Sequence, residues 1–266
     1  MDSTIRNGTS MSGVPDRRQF LAAAAMAGAG LLVTGAPPLE IAAASHTDTC
    51  AESVQDILNT ALIAEQMAVT FYYTGLTSRA ITISSKVAGS SGDPNRVSPD
   101  GNPGNVAYLQ AALDQEQKHA RILATVGATS PFRAFYFPAS AFESLGFTSH
   151  VGTYLWVLDH LETAFISAYI AAVERFGALG RPDLATVALR FLGVECQHRA
   201  LYRVISEDDP ADNVTLEVGQ FMCVGDAAQA LTPYLTGHGI SGGATVRIPL
   251  PTPPETARVI GRNVSM

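Results

Sequence analysis

Lysine is nearly missing from this chain: among 266 residues only Lys86 and Lys118 occur. Charged residues of all kinds reach just 15%, and the net charge is −7 with a pI near 5.3. No basic stripe exists to track a phosphate backbone, which argues against nucleic acid as a partner. No basic amphipathic helix is present to lie on an anionic membrane surface. Three cysteines, Cys50, Cys196 and Cys223, are too few for a disulfide framework. What the chain does have is apolar residues, 47% of the total, enough for a buried core. So little charge with so much hydrophobic content also argues against disorder.

The first residues stand apart from the rest. Asp16-Arg17-Arg18-Gln19-Phe20-Leu21 leads into an apolar run from Leu21 to about Ala36, followed by Ala42-Ala43-Ala44. The run is short and rich in Ala and Gly, so it suits a signal peptide better than a membrane span. The Arg-Arg-x-Phe-Leu core resembles a bacterial twin-arginine export signal. The bland alternative is a chance arginine pair ahead of an Ala-rich tail. On the export reading, residues 1–44 are removed and the Tat machinery is a partner. The mature chain, with no stable membrane anchor, is then periplasmic or extracellular, exported already folded.

Beyond Ser45 the apolar periodicity predicts an all-α fold of four long helices, at about Ala51–Gly75, Asn105–Val126, Val151–Phe176 and Pro182–Ile205. Between the first two lies a Gly/Ser/Pro/Asn-rich stretch, Thr77–Gly104, read as a long loop. Residues Gly127–His150 read as an ordered crossover with one short helix. Gly177, Gly180 and Pro182 make a tight connection, Gly ending one helix and Pro opening the next. A fifth, weaker helical segment falls between Asp212 and Leu235, so the bundle domain is taken as 45–236. Residues 237–266 read as a tail with a β-prone run at Ala244–Ile248. Cys50 and Cys223 flank the bundle, and outside the cytoplasm that pair can oxidise; three free thiols is the alternative.

Each long helix carries one stripe at 3-4-3-4-3 spacing: Leu58 to Gly75, Leu109 to Val126, Leu155 to Ala172 and Ala188 to Ile205. Such stripes are the inward faces of bundle helices. Midway along every stripe, where an apolar residue belongs, stands a glutamate: Glu65, Glu116, Glu162 and Glu195. The second and fourth stripes add His119 and His198, each three residues after its glutamate and so on the same helix face. The first and third add Tyr72 and Tyr169, each seven residues after theirs. The chain thus reads as two helical hairpins of one design.

An ionised carboxylate in an apolar core costs several kcal/mol, and four at one level also repel each other. Two divalent cations would offset four carboxylates and accept two neutral imidazoles as further ligands. One Glu from each of two helices and Glu-x-x-His from each of the other two is the ligand set of ferritin-like di-iron and di-manganese proteins. Over about Ala51 to Ile205 the sequence resembles that superfamily through Glu65, Glu116-Gln117-Lys118-His119, Glu162 and Glu195-Cys196-Gln197-His198. The resemblance implies a four-helix bundle with a long crossover between helices two and three. It implies two iron or two manganese ions, with Glu116 and Glu195 bridging them. Glu65 with His119 and Glu162 with His198 would complete one metal each. The leader, the long loop and the C-terminal extension look like the exported, stress- or desiccation-related branch. The extension departs from the minimal bundle and argues against a hollow storage shell, leaving a homodimer as the assembly to test.

Tyr72, Tyr169 and Tyr202 share the ligand stripes. They read as redox relays or hydrogen-bond partners of ligands, or else as core aromatics. Asp159, one turn before Glu162, reads as a holder of a ligand histidine or as a solvated residue. Cys196 points off the shared face and reads as packing. The functional expectation is an exported di-metal oxidoreductase of peroxidase, catalase or ferroxidase type that handles O2 or peroxide. The alternative is a non-catalytic exported stress protein with a structural or vestigial metal site.

Overall fold

Ser53 opens the first helix by a reciprocal cap. Its hydroxyl accepts from the Asp56 amide, and its own amide donates to the Asp56 carboxylate at 3.0 Å. That helix, α1, spans Val54–Thr77 in the computed structural model, which describes residues 50–146, 150–207, 216 and 219–260. The twin-arginine segment lies outside the described residues. Asn102 caps α2, Pro103–Thr125, with Pro103 in the first turn, where its missing N–H costs nothing. α3 spans Tyr154–Ala178 and α4 Pro182–Ser206. α1 packs mainly on α2 and α3 mainly on α4. The fold is therefore the expected four-helix bundle of two hairpins with one long crossover.

The inward stripes are buried almost throughout; Val126, just past the end of α2, is exposed, and Ala61 is half-buried. Two apolar clusters result, one at each end of the bundle. Met67, Phe71, Leu113, Tyr154 and Leu158 belong to the first, and Ile57, Leu62, Leu123, Phe176 and Phe191 to the second. Gly75 admits Tyr154, whose Cε2 would lie 2.2 Å from any Cβ there. The Tyr154 ring uses that space to stack on Phe71 with centroids 4.8 Å apart. None of the described helices is long and apolar enough to cross a membrane.

The connecting segments differ from expectation. The stretch read as one long loop after α1 holds a helical turn, Arg79–Thr82, and buries Ala80, Ile81, Val87 and Ala88. The crossover contains not only a short helical turn, Ala139–Phe142, but a strand, β1, Ala134–Pro138. Its partner is β2, Thr245–Pro249, antiparallel with Phe135 opposite Ile248 and Phe137 opposite Val246. The fifth helical segment, placed at Asp212–Leu235 from the sequence, is α5, Val224–Thr236; residues 208–215, 217 and 218 lie outside the described set. Residues 237–266, read as a tail, also build a last helix, α6, Pro253–Ile260, against α1 and α2. Gln110 Nε2 donates to the Val259 carbonyl at 2.7 Å, tying α6 to the bundle. Cys50 and Cys223 form a disulfide that joins the entry to α1 with the start of α5, and Cys196 is an exposed free thiol.

Candidate metal centre

Between the two apolar clusters the four helices bring six polar side chains together. α1 supplies Glu65, α2 Glu116 and His119, α3 Glu162, and α4 Glu195 and His198. Glu116, Glu162 and Glu195 are wholly buried, and Glu65 is 2% exposed. Two overlapping groups of four form. One is Glu65, Glu116, His119 and Glu195; the other is Glu116, Glu162, Glu195 and His198. Within each group one donor atom from every residue lies within 4.8 Å of the others. Glu116 and Glu195 belong to both groups, because the Glu-x-x-His helices α2 and α4 both turn their glutamates to the middle of the cage.

Both imidazoles enter through Nδ1. His119 Nδ1 lies 3.1 Å from Glu195 Oε1, 3.3 Å from Glu65 Oε2 and 3.8 Å from Glu116 Oε2. His198 Nδ1 lies 2.8 Å from Glu116 Oε1 and 3.1 Å from Glu195 Oε2. On its other side His198 Nε2 is 2.7 Å from the amide oxygen of Gln115. The Gln115 oxygen can only accept, so Nε2 carries a proton, and in the neutral imidazole it is Nδ1 whose lone pair faces the carboxylates. Phe191 stacks on His119 at 4.0 Å between centroids.

The tyrosines sort differently from one another. Tyr72 on α1 donates to Glu162 Oε1 on α3 at 2.5 Å, and Tyr169 on α3 donates to Glu65 Oε1 on α1. Tyr202 is buried too, but its hydroxyl donates to Asp159 instead of to one of the six. Asp159 holds no ligand histidine; it faces Arg199 at 3.7 Å and Arg203 at 3.8 Å beside the Tyr202 hydroxyl. Asp159 lies beside Leu158 of the inner stripe, on the flank of α3 that meets Arg199 and Arg203 of α4. Gln115 takes the histidine-orienting place that the sequence had suggested for Asp159. Little in its own helix marked it, since the partner His198 lies 83 positions away. Its place just before Glu116 was the one available hint.

The electrostatics show a cage short of positive charge. Burial pushes Glu116 far above the usual carboxylate range, and the neighbouring charges of Glu195 and Glu65 push it further. Burial likewise raises Glu162, against the opposing pull of His198. Burial also works against a charged His119, yet Glu65, Glu116 and Glu195 outweigh it and lift that imidazole to about 12. His119 and His198 in turn overcome the burial of Glu195 and hold it at about 2. Protons thus stand where cations would serve better. Four buried oxygens, Glu116 Oε1 and Oε2, Glu162 Oε2 and Glu195 Oε1, have no hydrogen-bond partner. Glu116 Oε1 lies close to His198 Nδ1 without the geometry of a hydrogen bond. Orphaned buried acceptors are rare without an ion to receive them. The donor set fits metal binding. A further cluster, Cys50, Glu52 and Cys223, has its two thiols spent in the disulfide.

Comparison with known proteins agrees with this architecture. The family described as a ferritin-like domain matches residues 53–207, more than half of the chain and the whole span from the α1 cap to the end of α4. No curated protein and no solved structure matches.

Proposed function

Because the chain belongs to the ferritin-like domain family, we propose that its bundle holds two iron or two manganese ions and works as an exported redox protein on O2 or peroxide. The observation that carries the reading is the set of four buried carboxylate oxygens without a hydrogen-bond partner inside a cage closed by two imidazole nitrogens. Glu116 and Glu195 would be shared between the ions. Glu65 and His119 would serve one, Glu162 and His198 the other. Carboxylate and imidazole suit iron or manganese better than softer metals. When bound, such a pair would supply electrons to O2 or peroxide, or accept them from peroxide.

The chain's own part is positioning and exclusion. Tyr72 and Tyr169 each fix one oxygen of a terminal glutamate, so the other oxygen faces inward. Gln115 holds the tautomer of His198. The apolar clusters at both ends keep bulk water from the cage. Export is supported by the Cys50–Cys223 disulfide, since such bonds persist outside the reducing cytoplasm.

The deciding experiment is metal analysis of the mature protein, purified without added metal. About two equivalents of iron or manganese are expected, absent from Glu116→Ala and from Glu195→Ala, with any peroxidase, catalase or ferroxidase activity lost in both. The second reading is a stress-protection protein with a structural or vestigial site. It draws on β1, β2, α5 and α6, which pack on the bundle and contribute none of the six donors. A chain that folds equally well without metal and shows no turnover would favour it.

A further inference from the structure

The residues just before α1 tie three elements into one knot. Cys50 is bridged to Cys223, the residue that caps α5. Glu52 Oε1 accepts from the Gly225 amide in the first turn of α5. The Glu52 carbonyl accepts from Arg175 Nε and Nη2 of α3, both at 3.1 Å. Cys50 and Cys223 are half-buried, so a small thiol can reach the bridge. Away from this knot α5 is lightly held. Of its 13 residues only Val224, Ala227 and Leu231 are fully buried. A helix this short is marginal by itself. Pro233, inside it, cannot donate to the carbonyl one turn back and makes a ready hinge. Just beyond, Tyr234 packs on Phe137 of β1 with ring centroids 5.9 Å apart, which holds the C-terminal end.

What α5 covers is one-sided. It packs on α1 and α3, and its three buried residues share a crevice wall with Ala64, Phe165 and Tyr169. Ala64 directly precedes Glu65, and Tyr169 donates to Glu65. α5 is therefore the outer layer over the Glu65–His119 half of the cage. Tyr72, Glu162 and His198 take no part in that wall.

We propose that α5 is a thiol-released cover, sealed over the Glu65–His119 half while the Cys50–Cys223 bridge is closed and swinging out from Pro233 when the bridge is reduced. A dithiol reductant supplies the two electrons and two protons: the Cys50–Cys223 bond breaks, two thiols form on the chain, and the reductant becomes a disulfide. The reverse exchange closes the cover. Opening frees one half of the cage for metal exchange and leaves the other shut. The order suits a chain that takes up its metal where thiols are reduced and keeps it where they are oxidised. Metal exchange rests on the function proposed above; the opening of α5 does not.

Amide hydrogen exchange on the metal-free full chain, bridged and then reduced by a dithiol, tests the cover. On reduction the amides of α5 are expected to pull ahead of those of α2 by roughly tenfold or more. An unchanged gap between the two helices would overturn the proposal, because a bridge that only staples the whole bundle protects both alike. Cys50→Ser combined with Cys223→Ser should reproduce the reduced pattern. If that variant does not fold, reduction of the already folded chain makes the same comparison. In Mn(II)-loaded protein, reduced and freed of reductant, a chelator should extract one ion roughly tenfold faster and the other at its former rate. Equal acceleration of both ions, or of neither, would overturn the one-sided gate. A chain whose α5 opens on reduction yet holds no metal keeps the cover and removes the di-metal function.

Discussion

Tyr72 and Glu162 sit on different hairpins, 90 positions apart, and meet through a 2.5 Å hydrogen bond inside the bundle. The pair has a mirror in Tyr169 and Glu65, which run the opposite way between the same two helices. Each tyrosine occupies one carboxylate oxygen. The second oxygen of Glu162 has no hydrogen-bond partner, and the second oxygen of Glu65 faces His119. Burial and, next, the partner glutamate raise the pKa of both hydroxyls, so the tyrosines stay protonated donors. The two bonds lock the hairpins together and aim the terminal carboxylates at the cage.

Tyr72→Phe and Tyr169→Phe should therefore fold normally but bind metal less well. Losing such an orienting partner weakens metal affinity by about 10–100-fold. Titration with Mn(II), followed by calorimetry or paramagnetic resonance, measures it. Unchanged affinity in both variants would reduce the tyrosines to packing residues.

Gln115 makes the two halves of the cage unequal. It orients His198, and the equivalent position on α4, one before Glu195, is Val194, which cannot accept a hydrogen bond from His119. Gln115→Leu should weaken one of the two ions by about 10–100-fold and leave the other nearly unaffected. A biphasic titration whose phases separate further in the variant is the expected signature. A parallel loss at both sites would contradict the assignment.

The metal-free protein should be less stable in alkali and the loaded protein should not. His119 is raised from 6.5 to about 12, so its contribution is full below 6.5 and fades as pH climbs toward 12. Glu116 and Glu162 are also raised, and their protonated forms are lost in the same direction. Glu195, held at about 2 against an ordinary 4.5, acts oppositely: its contribution is present above 4.5 and lost as pH falls through 2. The thermal midpoint of chelated protein should fall as pH rises above neutrality. Added Mn(II) should reverse the fall with release of protons, because metal and protons compete for the same atoms. A midpoint independent of pH and metal would rule this out.

Cys50 and Cys223 close a loop of 173 positions around the whole bundle. Replacing both by Ser should cost about 2–4 kcal/mol of stability. Denaturant unfolding of oxidised, reduced and Ser-substituted protein measures the difference. Equal midpoints for all three would show that the bridge carries no stability.

The long helices were legible because their evidence is local. Leu155, Leu158, Phe165 and Ala172 repeat at the helical period around Glu162, and nothing distant is needed to see it. The six polar residues were legible for the same reason: a buried carboxylate in an apolar stripe breaks the pattern at a fixed point. β1 was not legible. Phe135 and Phe137 alternate over only five residues, and the strand exists because β2 arrives more than 100 positions later to satisfy its backbone. α6 was missed likewise, since Pro253 and Pro254 read as a tail until Gln110 of α2 is seen to receive it. Asp159 was misread because two readings were open one turn before Glu162, and only the packing of α3 on α4 decides which neighbours it meets.

By itself the sequence determined the four inward stripes, the six polar residues on them and the hairpin echo, because helical period and charge burial are properties of neighbours in the chain. The tertiary structure alone decided which oxygen each tyrosine holds and that Gln115 rather than Asp159 orients His198. Those depend on contacts between residues tens of positions apart, whose approach is set by packing and left no mark in the local pattern.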